Sequence, residues 1–243
     1  MKSLYKKNEL MFALINIAVY VVGISLADSA SISLGVEKSV TAAATVLLSA
    51  MLLLWIKKEG LMKKYGLCKS SVPPLKMLFY LPLVIIVSVN LFYGVKMNLS
   101  VTETVLYIIS MLCVGFIEEI IFRGFLFKAM AKDNIKSAII VSSVTFGMGH
   151  IVNLFNSSGA DLFSTLLQIA YAIAIGFLFT VIFYRTESLI SCIVTHSLVN
   201  SLSVFSDESA LTAGRELFTA GVLVVVPLLY TVYLWRRTEE KSL

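Results

Sequence analysis

Residues 113–127 read CVGFIEEIIFRGFLF. Three ionisable side chains, Glu118, Glu119 and Arg123, interrupt a stretch that is otherwise apolar enough to lie inside a bilayer. One charge at membrane depth costs at least about 2.5 kcal/mol, so three on one helix require compensation. With α-helical spacing, Glu119 and Arg123 stand one turn apart on the same side and can pair. Glu118 lies roughly 100° around the axis from Glu119 and is free to face another helix. A buried ion pair that ties helices together is the plainer alternative to a functional site for this stretch.

The rest of the chain makes a bilayer its natural solvent. Of its 243 residues, 58% are hydrophobic and 14% charged, and the mean hydropathy is +0.89. Soluble domains carry about 25% charged residues, so there is too little polar surface to coat a soluble core. Eight apolar segments follow one another at 10–27, 40–56, 77–95, 105–127, 138–155, 162–184, 189–205 and 217–235. Each is near the length of about 20 residues that crosses the hydrocarbon core. Backbone groups there must bond within their own segment, which makes the segments helices. The fold expected is all-α: one polytopic membrane domain over 1–243 with about eight transmembrane helices and no soluble domain. The positive start at Lys2, Lys6 and Lys7, followed by small residues at Ala27, Ser29 and Ala30, also resembles a signal peptide. The apolar run is long for one, and a permanent first helix is expected.

The charges orient the helices. With the N-terminus cytoplasmic, 16 of the 20 Lys and Arg residues fall on the cytoplasmic side, among them Lys241 near the C-terminus. The outer side keeps Lys38, Lys96 and Arg215, and Arg123 lies within a span. Positive charge favours the cytoplasmic face, so a cell-membrane protein with both termini cytoplasmic is expected. The net charge of +5 is explained by that asymmetry. No basic helix face carries aromatics for base stacking, which argues against nucleic acid as a partner. Cys68, Cys113 and Cys192 are odd in number and widely spaced, and show neither a disulfide framework nor a metal motif.

The two histidines of the chain, His150 and His196, both fall in apolar segments. His150 closes the run Phe146-Gly-Met-Gly-His150, and His196 precedes Asn200 by four residues, so those two polar heads share a helix face. A neutral imidazole accepts or donates a proton near pH 7, and a carboxylate can deprotonate a water. Histidine and asparagine donors can stabilise an oxyanion. Together these groups suit amide hydrolysis.

Glu-Glu-x-x-x-Arg at 118–123, Phe-x-x-x-His at 146–150 and His-x-x-x-Asn at 196–200 occur in this order on separate helices. The set resembles the CPBP family, the CAAX prenyl proteases of the Ras-converting type and their bacteriocin-processing relatives, also called Abi. The resemblance covers about residues 101–205 and implies a CAAX-protease-like core. It implies Glu118 as the base that activates water, with His150 as its partner, and His196 and Asn200 as oxyanion donors. Glu119 and Arg123 would support the site, and Phe146 would pack beside the water. No cofactor is favoured. Zinc is the alternative, with Glu118, His150 and His196 as its ligands, although no H-E-x-x-H motif is present. The function implied is an intramembrane glutamic endopeptidase acting on a membrane-embedded or lipidated peptide or protein. A non-catalytic bacteriocin self-immunity or scaffold protein is the first alternative. A proton-coupled transporter is the second, though the repeats typical of transporters are absent. Because Glu118 lies past the middle of its segment, the cavity is expected nearer the cytoplasmic face, with substrate arriving from the cytoplasm or the inner leaflet.

Overall fold

The computed structural model describes residues 2–155, 161–210 and 212–239. The described elements are helical, and an isolated bridge between Val95 and Ser206 forms no sheet. In chain order the α-helices are α1 (Lys2–Lys7), α2 (Glu9–Ser33), α3 (Ser39–Lys58), α4 (Leu81–Ser88), α5 (Val101–Glu118), α6 (Lys128–Met130), α7 (Ile135–Met148), α8 (Leu162–Thr186), α9 (Ile190–Leu202) and α10 (Ala213–Glu239). Between α5 and α6 the chain stays helical as a wide π-helix, Glu119–Phe127.

Seven helical stretches are long and apolar enough to cross a membrane. The eighth, Ile190–Phe205, is shorter. Large apolar side chains face outward along the spans, among them Val19, Leu26, Leu54 and Leu229, each exposed. Apolar exposure on this scale marks a surface built for lipid rather than water. This is a multi-pass membrane protein.

Local sequence sets the helix starts. Asn8, Ser100, Asn134 and Asp161 each accept a backbone N–H of the first turn, which satisfies donors left unpaired there. Ser100 and Glu103 close a reciprocal capping box on α5. Two expectations from the sequence need revision. The third segment is not one continuous helix: Pro74–Tyr80 forms a 3-10 turn, and Leu78, Phe79 and Tyr80 take φ of 48°, 50° and 58° before α4 begins. The fourth segment is not regular α-helix throughout, because it widens at Glu119, just after Glu118. Within the wide stretch, the Phe122 carbonyl accepts a bond from Ser142 Oγ of α7 at 2.8 Å. A side chain of the neighbouring helix thus compensates the altered ladder.

Close approaches of helices fix where the site forms. A Cβ on Gly115 would stand 2.6 Å from the Ser197 backbone nitrogen, and one on Gly176 would stand 3.0 Å from the Ser143 carbonyl oxygen. Only glycine lets α5 approach α9, and α8 approach α7, so closely. Ser197 Oγ further donates to the Leu112 carbonyl at 2.9 Å. His196, next to Ser197, is thereby pinned beside Glu118 and Glu119.

The bundle has two chemically different ends. At one, Lys64 and Lys132 both reach Glu9 at 2.9 Å, Lys2 reaches Glu59 at 2.9 Å, and Arg185 donates to the Leu234 carbonyl. Burial works against the charge on Lys64, but hydrogen bonds from its ammonium to the Tyr5 hydroxyl and Glu9 carboxylate outweigh it and raise its pKa. Fifteen described Lys and Arg residues belong to this lysine-rich end, while Lys241 lies outside the described residues. At the other end, Lys38 pairs with Asp28 at 2.8 Å, Glu103 accepts the Glu37 backbone N–H, and Asn98 bonds the Val204 carbonyl. Lys38, Lys96 and Arg215 are the described basic residues there.

Candidate active site

Glu118 is the last residue of α5 and Glu119 the first of the π-helix, and they face different surroundings. Glu119 and Arg123 are both fully buried, with Arg123 Nη1 donating to Glu119 Oε1 at 2.9 Å. The guanidinium carbon lies 4.1 Å from the centroid of the Phe146 ring. That stacking is favourable cation–π geometry. It takes the place of hydrogen bonds that the guanidinium lacks, since Nε and Nη2 have no partner among the described residues. Phe146 therefore supports the arginine as well as packing edge-on against His150 and His196, with ring centroids 5.7 Å and 5.6 Å away.

His196 bridges the two glutamates. Its Nδ1 lies 2.9 Å from Glu119 Oε1, the oxygen that also accepts from Arg123. A carboxylate oxygen in an ion pair accepts, so Nδ1 carries the proton. In the neutral ring, Nε2 is then a lone pair, and it faces Glu118 Oε2 at 3.4 Å. Two acceptors cannot face each other without a proton or a water between them. The Glu118–His196 pair is thus built to share one, and 3.4 Å is too long for a good direct bond.

The other oxygen of Glu118 is held by a residue that the sequence did not single out. Tyr20 of α2 donates its hydroxyl to Glu118 Oε1 at 2.6 Å. One tyrosine in an apolar helix carries no distinguishing signal, because Tyr is common in membrane helices for its amphipathic ring.

The remaining expected residues converge on the same space. A cavity of about 350 Å³ is lined by Tyr20, Glu118, Phe146, His150, His196 and Asn200. A smaller one of about 140 Å³ adjoins it, also walled by Tyr20, Glu118, Phe146 and His150. His150 sits just past α7, in the 3-10 turn Gly149–Leu154, and makes no hydrogen bond to Glu118. The partner in contact with Glu118 is His196. Asn200, one turn beyond His196 on α9, turns into the larger cavity.

The position of the cavity also differs from expectation. Glu118 does lie past the middle of the helical stretch Val101–Met130, toward the lysine-rich end, and His196 is the central residue of α9. The open space, however, extends the other way. It runs past Ser25 and Asp28 of α2, Tyr107 of α5 and Ser203 beyond α9, all closer to the lysine-poor end. Counting residues along one segment locates a carboxylate but not the direction in which neighbouring helices diverge.

A zinc site would need Glu118, His150 and His196 together. The separation of His196 Nε2 and Glu118 Oε2 suits two ligands on one tetrahedral ion, about 3.3 Å apart for bonds of about 2.0–2.1 Å. Glu119 behind Nδ1 also resembles the carboxylate that orients a metal-bound histidine. The third donor is not brought in: among the described residues no three His, Cys, Asp or Glu side chains are grouped to hold an ion. Tyr20 meanwhile occupies the second oxygen of Glu118. As placed, these side chains do not fit zinc.

Residues 100–202 match a family model described as Type II CAAX prenyl endopeptidase Rce1-like. No curated protein and no solved structure matches the chain. The matched stretch begins at the cap of α5 and ends at the last residue of α9. It therefore takes in Glu118, Glu119, Arg123, Phe146, His150, His196 and Asn200, and omits Tyr20. Over this core the chain is similar to the type II CAAX prenyl endopeptidases of the Rce1-like kind.

Proposed function

We propose that this protein is an intramembrane endopeptidase that hydrolyses a peptide bond of a membrane-associated peptide or protein, with Glu118 as the base that activates water. The observation that carries the reading is the placement of Glu118 between the Tyr20 hydroxyl and the His196 ring. Tyr20 fixes one carboxylate oxygen, and His196 Nε2 stands 3.4 Å from the other, leaving a proton-accepting pair at the wall of a cavity large enough for a peptide group and a water.

In the proposed reaction the water oxygen attacks the carbonyl carbon while one water proton passes to the Glu118–His196 pair. The carbonyl becomes an oxyanion. The C–N bond then breaks, and the proton held by the pair goes to the departing amine. His196 can donate to the oxyanion only when Nε2 is protonated, because Nδ1–H is committed to Glu119. Asn200 and His150, whose side chains line the cavity without that commitment, suit the oxyanion better. On this assignment His196, rather than His150, is the proton partner of Glu118. Glu119 and Arg123 hold His196 in its tautomer and do not touch substrate. No metal takes part in this scheme.

The test is Glu118→Gln, which retains volume and polarity but cannot accept the proton. Turnover falls by at least about 10²–10⁴-fold, as for loss of a general base, while the purified protein keeps its wild-type thermal midpoint. Comparative peptidomics of membranes carrying either protein identifies the substrate by its disappearance. Full processing by a well-folded Glu118→Gln protein removes the general-base assignment. If wild type yields no cleavage product and both proteins confer the same immunity, the non-catalytic alternative stands instead.

A further inference from the structure

Access to the site is one-sided, and it is open on the side that the charges assign to the outside of the cell. Between Glu118 and the lysine-rich end the bundle is closed by Tyr65, Phe125, Phe127 and Phe183, each at most 2% exposed. The Tyr65 and Phe125 rings meet edge-on at 5.0 Å, and those of Phe127 and Phe183 at 5.9 Å. Among the described residues, aromatic packing of this density closes the way to water and to an extended peptide. In the opposite direction the walls turn polar. Ser25 and Asp28 line the smaller cavity, and Tyr107, Asn153, Gln168 and Ser203 line the larger one. The smaller cavity lies between α2 and the turn Gly149–Leu154, a gap that reaches Glu118 and His150 directly. The charge asymmetry supplies the direction: fifteen described basic residues lie at the closed end against three at the open one, which places the closed end in the cytoplasm.

We infer that the peptide and the water reach Glu118 from the extracytoplasmic side, so that the substrate class is a peptide segment already translocated across the membrane or anchored in its outer leaflet. This rests on the peptidase reading for what is cut, but the direction of access does not. A lipidated tail presented from the cytoplasm would meet the aromatic plug instead of the cavity. The polar wall suits an extended backbone, whose N–H and C=O groups need partners once they leave water.

The experiment is thiol labelling in intact cells with a small membrane-impermeant maleimide. Two single-cysteine proteins are compared. One retains only the native Cys68, in the loop at the lysine-rich end, where its thiol contacts the Glu187 carbonyl. The other carries Ser25→Cys with Cys68→Ser, Cys113→Ala and Cys192→Ala. Ser25 lies on α2 about 7–8 Å along the axis from Tyr20 and has no part in the proposed chemistry. The expected result is labelling of Ser25→Cys in intact cells and of Cys68 only after permeabilisation. Labelling of Ser25→Cys only after permeabilisation, or of Cys68 in intact cells, overturns the inference. Absence of labelling at Ser25→Cys in both states also overturns it, since water then does not reach the cavity from that side. If Ser25→Cys fails to elute as the wild type does, Ser203→Cys in the larger cavity replaces it with the same expectations. Because labelling is read without cleavage, outside labelling of a protein with no peptidase activity would reject the enzyme reading and leave the direction of access standing.

Discussion

Glu119→Gln separates the structural glutamate from the chemical one. In the wild type, Glu119 Oε1 accepts from both Arg123 Nη1 and His196 Nδ1, and both members of the ion pair are fully buried. Glutamine preserves the oxygen and the volume but removes the charge. Arg123 is left with a neutral acceptor, the Phe146 face and two nitrogens that have no partner among the described residues. Breaking one side of a buried pair costs about 3–5 kcal/mol. For a chain of this size each kcal/mol moves the midpoint roughly 2–4 °C, so a fall of about 6–20 °C is expected in detergent. Unfolding of a membrane protein is often irreversible, so the comparison is made at one scan rate, in one detergent. The companion variant Glu119→Gln/Arg123→Met removes the stranded cation. It should recover a good part of the lost midpoint while activity stays low, because His196 has still lost the carboxylate that fixes its tautomer. An unchanged midpoint in Glu119→Gln, or a double variant less stable than the single one, would refute the argument that a desolvated charge pair supports the site.

Other expectations follow from individual contacts. Tyr20→Phe deletes the 2.6 Å bond to Glu118; with a charge-assisted bond at about 1.5–3 kcal/mol, kcat should fall roughly tenfold to hundredfold with KM little changed, and an unaltered kcat would show that Tyr20 does not position the base. Asn200→Ala should lower kcat by about 10²–10³-fold with KM nearly constant, the pattern of a donor that acts on the transition state; a rise in KM alone would make it a binding residue. Chelation with EDTA or phenanthroline should leave turnover unchanged, and inhibition reversed by added zinc would make the site a metal centre. Gly115→Val should lower both stability and activity, since its side chain would meet the Ser197 backbone at the α5–α9 crossing; wild-type behaviour would mean that this close approach does not position His196.

The site residues were legible because ionisable groups are conspicuous in an apolar sequence. Glu118, Glu119, Arg123, His150 and His196 have no business in a lipid-facing helix; Glu118, His150 and His196 line one pocket, with the Glu119–Arg123 pair buried behind His196. What the sequence could not convey was which partner each would meet. Glu118 and His196 are 78 positions apart in the chain, and the wide turns from Glu119 onward alter the helical angles that the spacing argument assumed. Tyr20 was invisible for a different reason: its phenol resembles any interfacial aromatic until a carboxylate is found at its tip. The break at Leu78–Tyr80 was hidden too, since none of these residues is a glycine and left-handed conformations are uncommon elsewhere. The charge asymmetry spoke of sidedness, but the aromatic closure of one end depends on Tyr65 meeting Phe125 and on Phe183 meeting Phe127, contacts between residues far apart in the chain.

The short helix α9 carries a consequence for the lipid around it. Its 13 residues and the following 3-residue turn extend about 25 Å at the rises of α- and 3-10 helices, against roughly 30 Å of hydrocarbon. Ile190, Val194 and Leu198 are exposed along it, so one side of α9 meets acyl chains directly. Lipid accommodates a short hydrophobic stretch by thinning, and here the depression would form beside the helix that carries His196 and Asn200. Bilayer thickness then becomes a variable of the fold: in vesicles of shorter-chain phosphatidylcholine the dent costs less, and the bundle should be more stable than in long-chain vesicles. A protein of this build would be tuned by the membrane it resides in, through the length of the acyl chains rather than through any headgroup it binds.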